Sequence, residues 1–155
     1  MDEPQALYVC EQIPDSTRKK DLGAFFRSIH GILNHLLLVD RLWLARFLAA
    51  PFEFTSLGQE LYAEFDELRS EREKTDAEIL AWVISLSENQ LVSPFTWRSK
   101  LVDRDFTLPL GVLVVHFFNH QTHHRGQLTT LLTQTGYDPE VTDLVWLPNL
   151  GLDGL

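Results

Sequence analysis

The chain of 155 residues has one cysteine, Cys10. A lone Cys forms no intrachain disulfide and supports no Cys-rich zinc module. A reducing, cytoplasmic location is the expectation. Positive charge is also scarce: 13 Lys and Arg stand against 22 Asp and Glu, for a formal net charge of -9. Duplex binding draws on a surplus of Lys and Arg to displace counterions, so no nucleic-acid partner is expected. Long apolar runs are missing as well. A spanning helix takes roughly 20 mostly apolar residues. Leu36 to Val39 is closed off by His35 and Asp40, and Leu108 to Phe118 runs into Asn119 and His120. No membrane association is expected. The N-terminal stretch MDEPQALYVCEQIPD is acidic and has no apolar signal core.

What is present fits an ordinary globular chain, with 45% hydrophobic and 23% charged residues. The length suits one domain, 1–155, without repeats or a linker. Leu22, Phe25, Phe26, Ile29, Ile32, Leu33, Leu36 and Val39 recur at helical spacing and predict a helix over 21–49, ended by Pro51. Gln5 to Gln12 predicts a short helix before Pro14. Residues 58–88 predict another, whose run DELRSEREKTD (66–76) reads as a solvated face. Thr75 and Glu78 have capping-box spacing, which allows a break there. Residues 91–108, with alternation around Phe95 and Trp97, predict two short extended segments or an irregular loop. Pro109 and Gly136 bracket a last strong helix, 109–135. The tail 137–155 is expected to pack through Val141, Leu144, Val145 and Trp146. The fold class is therefore all-α: a four-helix bundle with a short irregular or β-like segment between its third and fourth helices.

Four of the six histidines fall within HFFNHQTHHRGQ, 116–127. On a helix His116, His120 and His124 form one stripe, continued by Gln127, while His123 lies about 100° aside. A His pair at i,i+4 can bind one transition metal, but two ligands bind weakly. A third must come from elsewhere, and the other histidines are His30 and His35. A His on a buried helix is ordinarily a satisfied core residue. Here the bland reading would bury several imidazole nitrogens without evident partners.

Two segments, GILNHLLLVDRLWLARF at 31–47 and HFFNHQTHHRGQLTTLL at 116–132, together resemble the DinB-like (bacillithiol-transferase-like) family of metal-binding four-helix proteins. That family is unrelated to the DNA polymerase of similar name. The likeness extends more weakly through DELRSEREKTDAEILAWVISL and covers about 130 residues. The resemblance implies a three-histidine metal site, with His35, His120 and His124 as ligands. His116 is expected near the site or on a polar neighbour, and His123 on the flank or at a subunit contact. The family usually has a full first helix. Here only a short helix-competent stretch precedes Pro14, which together with the apolar surplus suggests a homodimer.

Three neutral His ligands leave metal positions open to water or substrate, a pattern more often catalytic than structural. The donor set suits a divalent transition metal, zinc or nickel foremost. Two reactions follow: hydrolysis, or attack by the thiolate of a low-molecular-weight thiol on a small-molecule substrate. The resemblance implies a thiol S-transferase. The alternatives are a metal-dependent hydrolase and a non-catalytic, stress-associated metal-binding protein. Gln127 is expected to line the pocket or stand beside it. Asn34 and Asn119 are candidates for orienting the ligand rings, although a surface or helix-packing role is the commoner one for Asn. Arg125 is a candidate for an anionic substrate group or a salt bridge. Asp40 is a poor ligand beside His35 and is expected to pair with Arg41, Arg125 or a helix end, or to sit behind the ligands. Gly126 is expected to permit close helix approach. The four Trp are expected in core or interface positions, and Cys10 as a plain buried or surface thiol.

Overall fold

A Pro14 that cannot continue a helix and a Ser28 placed to start one divide the N-terminal third of the chain. The computed structural model describes residues 3–100 and 102–139, with side chains from residue 7 onward. α1 spans Glu3–Glu11 and α2 is the single turn Asp15–Arg18. α3 runs Ile29–Phe47, α4 Phe65–Ser85, and α5 is the short Glu88–Val92. Two strands follow, β1 Pro94–Ser99 and β2 Arg104–Pro109, and then α6, Leu110–Gln134. The fold is mostly helical with one two-stranded antiparallel sheet. The predicted tail contacts of Val141, Leu144, Val145 and Trp146 lie outside the described residues.

α3 is the central element. Fourteen of its residues are buried, and it packs on α4 and on α6. Ile29, Ile32, Leu33 and Leu36 of α3 meet Leu128, Leu131 and Leu132 of α6 in one core cluster, together with Leu7, Cys10 and Ile13. Leu38, Val39, Trp43 and Leu44 meet Leu113 and Phe117 in a second cluster. The early part of α3 thus faces the late part of α6, so the two helices run antiparallel. His35 and the pair His120 and His124 fall at the level between the two clusters.

The helix predicted over 21–49 begins only at Ile29. Ser28 caps it, its hydroxyl accepting from the Gly31 N–H at 3.0 Å. Upstream, Gly23 (φ 77°) and Arg27 (φ 68°) are left-handed, and Ala24 bridges Arg27 in a tight loop. Local turn chemistry overrides the apolar spacing of Leu22, Phe25 and Phe26. The helix predicted over 58–88 likewise starts at Phe65, and residues 51–64 form an irregular segment. No break occurs at Thr75, whose hydroxyl donates to the Glu71 carbonyl at 2.8 Å inside a continuous helix.

The charged run 66–76 is not simply a solvated face. The buried residues of α4 are Phe65, Leu68, Arg72, Thr75, Ile79 and Trp82, at alternating spacings of three and four, and three of them fall in this run. Arg72 is 2% exposed, and its Nη1 donates to the fully buried Asp40 at 2.6 Å. Gln121 Nε2 donates to the same carboxylate oxygen at 3.1 Å. This polar cross-link joins α3, α4 and α6.

The segment predicted as extended forms a hairpin, with Phe95 opposite Leu108 and Trp97 opposite Phe106. The Leu110 N–H donates to the Ser93 carbonyl at 3.0 Å, tying the hairpin to the start of α6. Trp97 therefore lies over Trp43 of α3, their ring centroids 5.5 Å apart. Gly136 is left-handed (φ 87°) just beyond α6, as the sequence predicts.

Candidate metal centre

His35 projects from the middle of α3, and His120 and His124 from successive turns of α6. One nitrogen from each ring lies within 4.8 Å of the others. His35 Nε2 and His124 Nε2 are 3.2 Å apart. Two nitrogens each about 2.0–2.1 Å from one tetrahedral ion stand at about this separation.

The orientation of His35 has a definite cause. Its Nδ1–H donates to the Leu57 carbonyl at 2.8 Å. A carbonyl only accepts, so neutral His35 carries its proton on Nδ1 and turns the Nε2 lone pair inward. His124 is held the same way from its own helix: Nδ1 donates to Gln127 Oε1 at 2.8 Å, and Gln127 Nε2 meets His123 Nε2 at 3.1 Å. Two lone pairs then face one another across 3.2 Å, an arrangement that a cation between them would stabilise. His120 adds a buried Nδ1 with no hydrogen-bond partner among the described residues. An orphaned imidazole nitrogen beside converging lone pairs is the donor set of a metal site.

The electrostatics keep these rings neutral. Burial pushes His35 down to about 4, against the Leu57 hydrogen bond, and the nearby His124 lowers it further. Burial, followed by the neighbouring His124 and His35, pushes His120 to about 4. His124 is also lowered, chiefly by burial, with the Gln127 bond opposing. A metal ligand must be deprotonated, so the cluster is prepared for a cation at neutral pH.

Phe26 covers the cluster. Its ring stacks on His35 at 3.8 Å between centroids and meets His124 edge-on at 5.5 Å. Gly31 permits the loop carrying it: a Cβ there would lie 2.1 Å from the Phe26 carbonyl oxygen. A cleft of about 220 Å³ opens on His35 and His120, walled by Trp43, Trp97, Phe54 and Leu57.

The remaining candidates separate clearly. His116 is exposed, packs edge-on against Trp43 at 5.3 Å and lines the same cleft. His123 is exposed on the flank, meets the His124 ring edge-on at 4.7 Å and hydrogen-bonds Gln127. His30 is buried elsewhere, its Nε2–H donating to the Tyr62 carbonyl at 2.9 Å. Asn34 is buried. Its amide donates to the His30 and Tyr62 carbonyls and accepts from the N–H groups of Leu61 and Tyr62, pinning that loop against α3. Asn119 is exposed. Arg125 donates to Thr122 of its own helix at 3.2 Å. Asp40 pairs with Arg72, a partner on α4 that the sequence reading does not include. Among the described residues a Cβ at Gly126 would meet nothing within 4 Å, so no close helix approach there depends on it. Trp43 and Trp82 are buried as expected, Trp97 is half-buried, and Cys10 is fully buried. Phe26 and Leu57 went unrecognised in the sequence. Phe26 sat within an apparent helical stripe, and the Leu57 contribution is a backbone carbonyl that no side chain advertises.

Fold and cluster together define a helical protein with a three-histidine centre able to hold a metal ion. The chain matches the DinB family model over residues 3–151, and it belongs to that family. It is 24% identical over 143 residues to protein DinB of Bacillus subtilis (strain 168), covering 86% of this chain and 79% of that one. In fold it resembles a DinB-like protein from Bacillus cereus ATCC 10987, with a TM-score of 0.66, 16% identity and about nine-tenths of each chain covered.

Proposed function

We propose that His35, His120 and His124 hold one divalent transition metal, zinc or nickel foremost, and that the protein is a metal-dependent S-transferase using a low-molecular-weight thiol. One observation carries the metal: the Leu57 carbonyl fixes His35 so that its Nε2 lone pair faces that of His124 at 3.2 Å. A bound divalent ion supplies Lewis acidity that deprotonates a coordinated thiol. The chain's own residues do the rest. Leu57 and Gln127 hold the rings, Phe26 shields one side from water, and Trp43 and Trp97 wall the approach. The cleft beside His35 and His120 supports an open, catalytic centre over a closed structural one. Cys10, fully buried, offers no competing nucleophile.

The reading takes the architecture as a four-helix bundle in which α1, packed on α4, is the short member. It places the protein in the cytoplasm, which cell fractionation tests. Among the described residues no helix is long and apolar enough to cross a membrane. A homodimer belongs to the reading too, supported by Val112, Val115 and Phe118 exposed along α6. A monomer mass at sedimentation equilibrium removes it.

Metal analysis of untagged protein tests the centre. Near-stoichiometric metal in the wild type, lost in His35→Ala and His120→Ala, is expected. Wild type that refuses zinc, nickel and cobalt overturns it. Turnover of a generic electrophile should then need both metal and added thiol. Metal-dependent ester hydrolysis at a rate indifferent to thiol favours the hydrolase, and loaded protein inert to both favours a non-catalytic role.

A further inference from the structure

The cleft does not end at its aromatic walls. A second hollow of about 160 Å³ shares Leu42, Arg46, Phe54 and Lys100 with it and is lined also by Ala50, Phe52 and Arg98. Arg46 and Lys100 are the charged residues on the wall common to both spaces. Arg46 is half-buried with its guanidinium 4.6 Å from the centre of the Trp43 ring. Lys100 lies 5.8 Å from the Phe54 ring. Among the described residues neither has a carboxylate within ion-pair distance, although the neighbouring Arg98 has two. A half-buried guanidinium and an ammonium group that share one wall of the cleft, without ion-pair partners among the described residues, are placed to receive an anion. Half-burying a guanidinium without a counter-charge costs free energy, and nothing opposes the effect of burial on Arg46.

We infer that Arg46 and Lys100 form an anion subsite, and that the small molecule handled at the histidine centre carries a carboxylate on an apolar or aromatic body. The inference rests on reading that centre as the site of chemistry. The planar guanidinium, steadied by Trp43, offers two parallel N–H donors to a carboxylate, and Lys100 adds a mobile charge. Trp43, Trp97 and Phe54 bury the body of the ligand, whose far end then lies beside His35 and His120.

Calorimetric titration of the full chain with 3-phenylpropionate tests the subsite, using metal-free and zinc-loaded protein. Metal-free protein should prefer the acid to its neutral analogue 3-phenylpropanamide by about tenfold, the worth of one charge-assisted contact. Arg46→Gln should lose most of that preference, Arg46→Lys should keep part of it, and Lys100→Gln, at an exposed position, should weaken it without disturbing the fold. Equal binding of acid and amide by the wild type overturns the subsite. So does a full preference surviving in the folded Arg46→Gln/Lys100→Gln double variant. Because the metal-free arm involves no ion, a chain that takes up no zinc yet shows the preference upholds the subsite while removing the metal reading.

Discussion

A backbone carbonyl decides the chemistry of His35. Leu57 fixes its tautomer, burial holds it neutral, and the same burial gives the metal-free protein a dependence on pH. His35 and His120 titrate near 4 in the folded chain, below the ordinary 6.5 they regain on unfolding. The unfolded state therefore binds more protons between these values. Stability is fully present above about pH 6.5 and falls as pH drops toward 4. Thermal melts of the metal-free protein from pH 7 to 4.5 should show a declining midpoint, less steep in His35→Gln. A flat profile contradicts the burial of these rings. At this scale the ligand candidates were legible because helical spacing is arithmetic. His116, His120 and His124 share a stripe whatever packs on it, although sequence alone left open His30 or His35 as the third. What orients the rings was less legible. Gln127 was visible one turn on, whereas Leu57 acts through its backbone and Phe26 through a loop that read as helix.

At the scale of the element, the charged run of α4 carries the main lesson. Its residues look alike on paper, yet Arg72 pairs with buried Asp40 while Arg69 pairs with partly exposed Glu11 and Glu73. The signal was present in phase rather than composition: Arg72 and Thr75 continue the stripe of Phe65, Leu68, Ile79 and Trp82 at spacings of three and four. A buried charge is costly to orphan. Asp40→Ala removes one carboxylate from buried Arg72, which keeps its ion pair with Asp76 at 2.5 Å, and should destabilise by about 1–3 kcal/mol. Replacing both, as Asp40→Leu with Arg72→Met, should recover much of the loss. Urea unfolding of the three proteins checks this, and a single variant as stable as the wild type refutes it. Helix starts were the weakest expectations for a related reason. Left-handed Arg27 and the Ser28 cap are local events that apolar periodicity does not register.

At the scale of the molecule, the centre lies where the two core clusters meet, with one ligand candidate on α3 and two on α6. An ion there would tie together antiparallel helices that share both clusters. The unfolded chain keeps His35 far from His120 in sequence, so binding favours the native state almost exclusively. Binding at a hundredfold excess over the dissociation constant adds about 2.7 kcal/mol of stability. For a chain of this length that raises the melting midpoint by roughly 5–10 °C. Scanning calorimetry with zinc and with chelator should show this difference in the wild type and lose it in His120→Ala, which keeps α6 but breaks the i,i+4 pair. An equal rise in the variant would place the ion elsewhere, because mass action rewards any native site, whereas dependence on a ligand from each helix marks one that joins them.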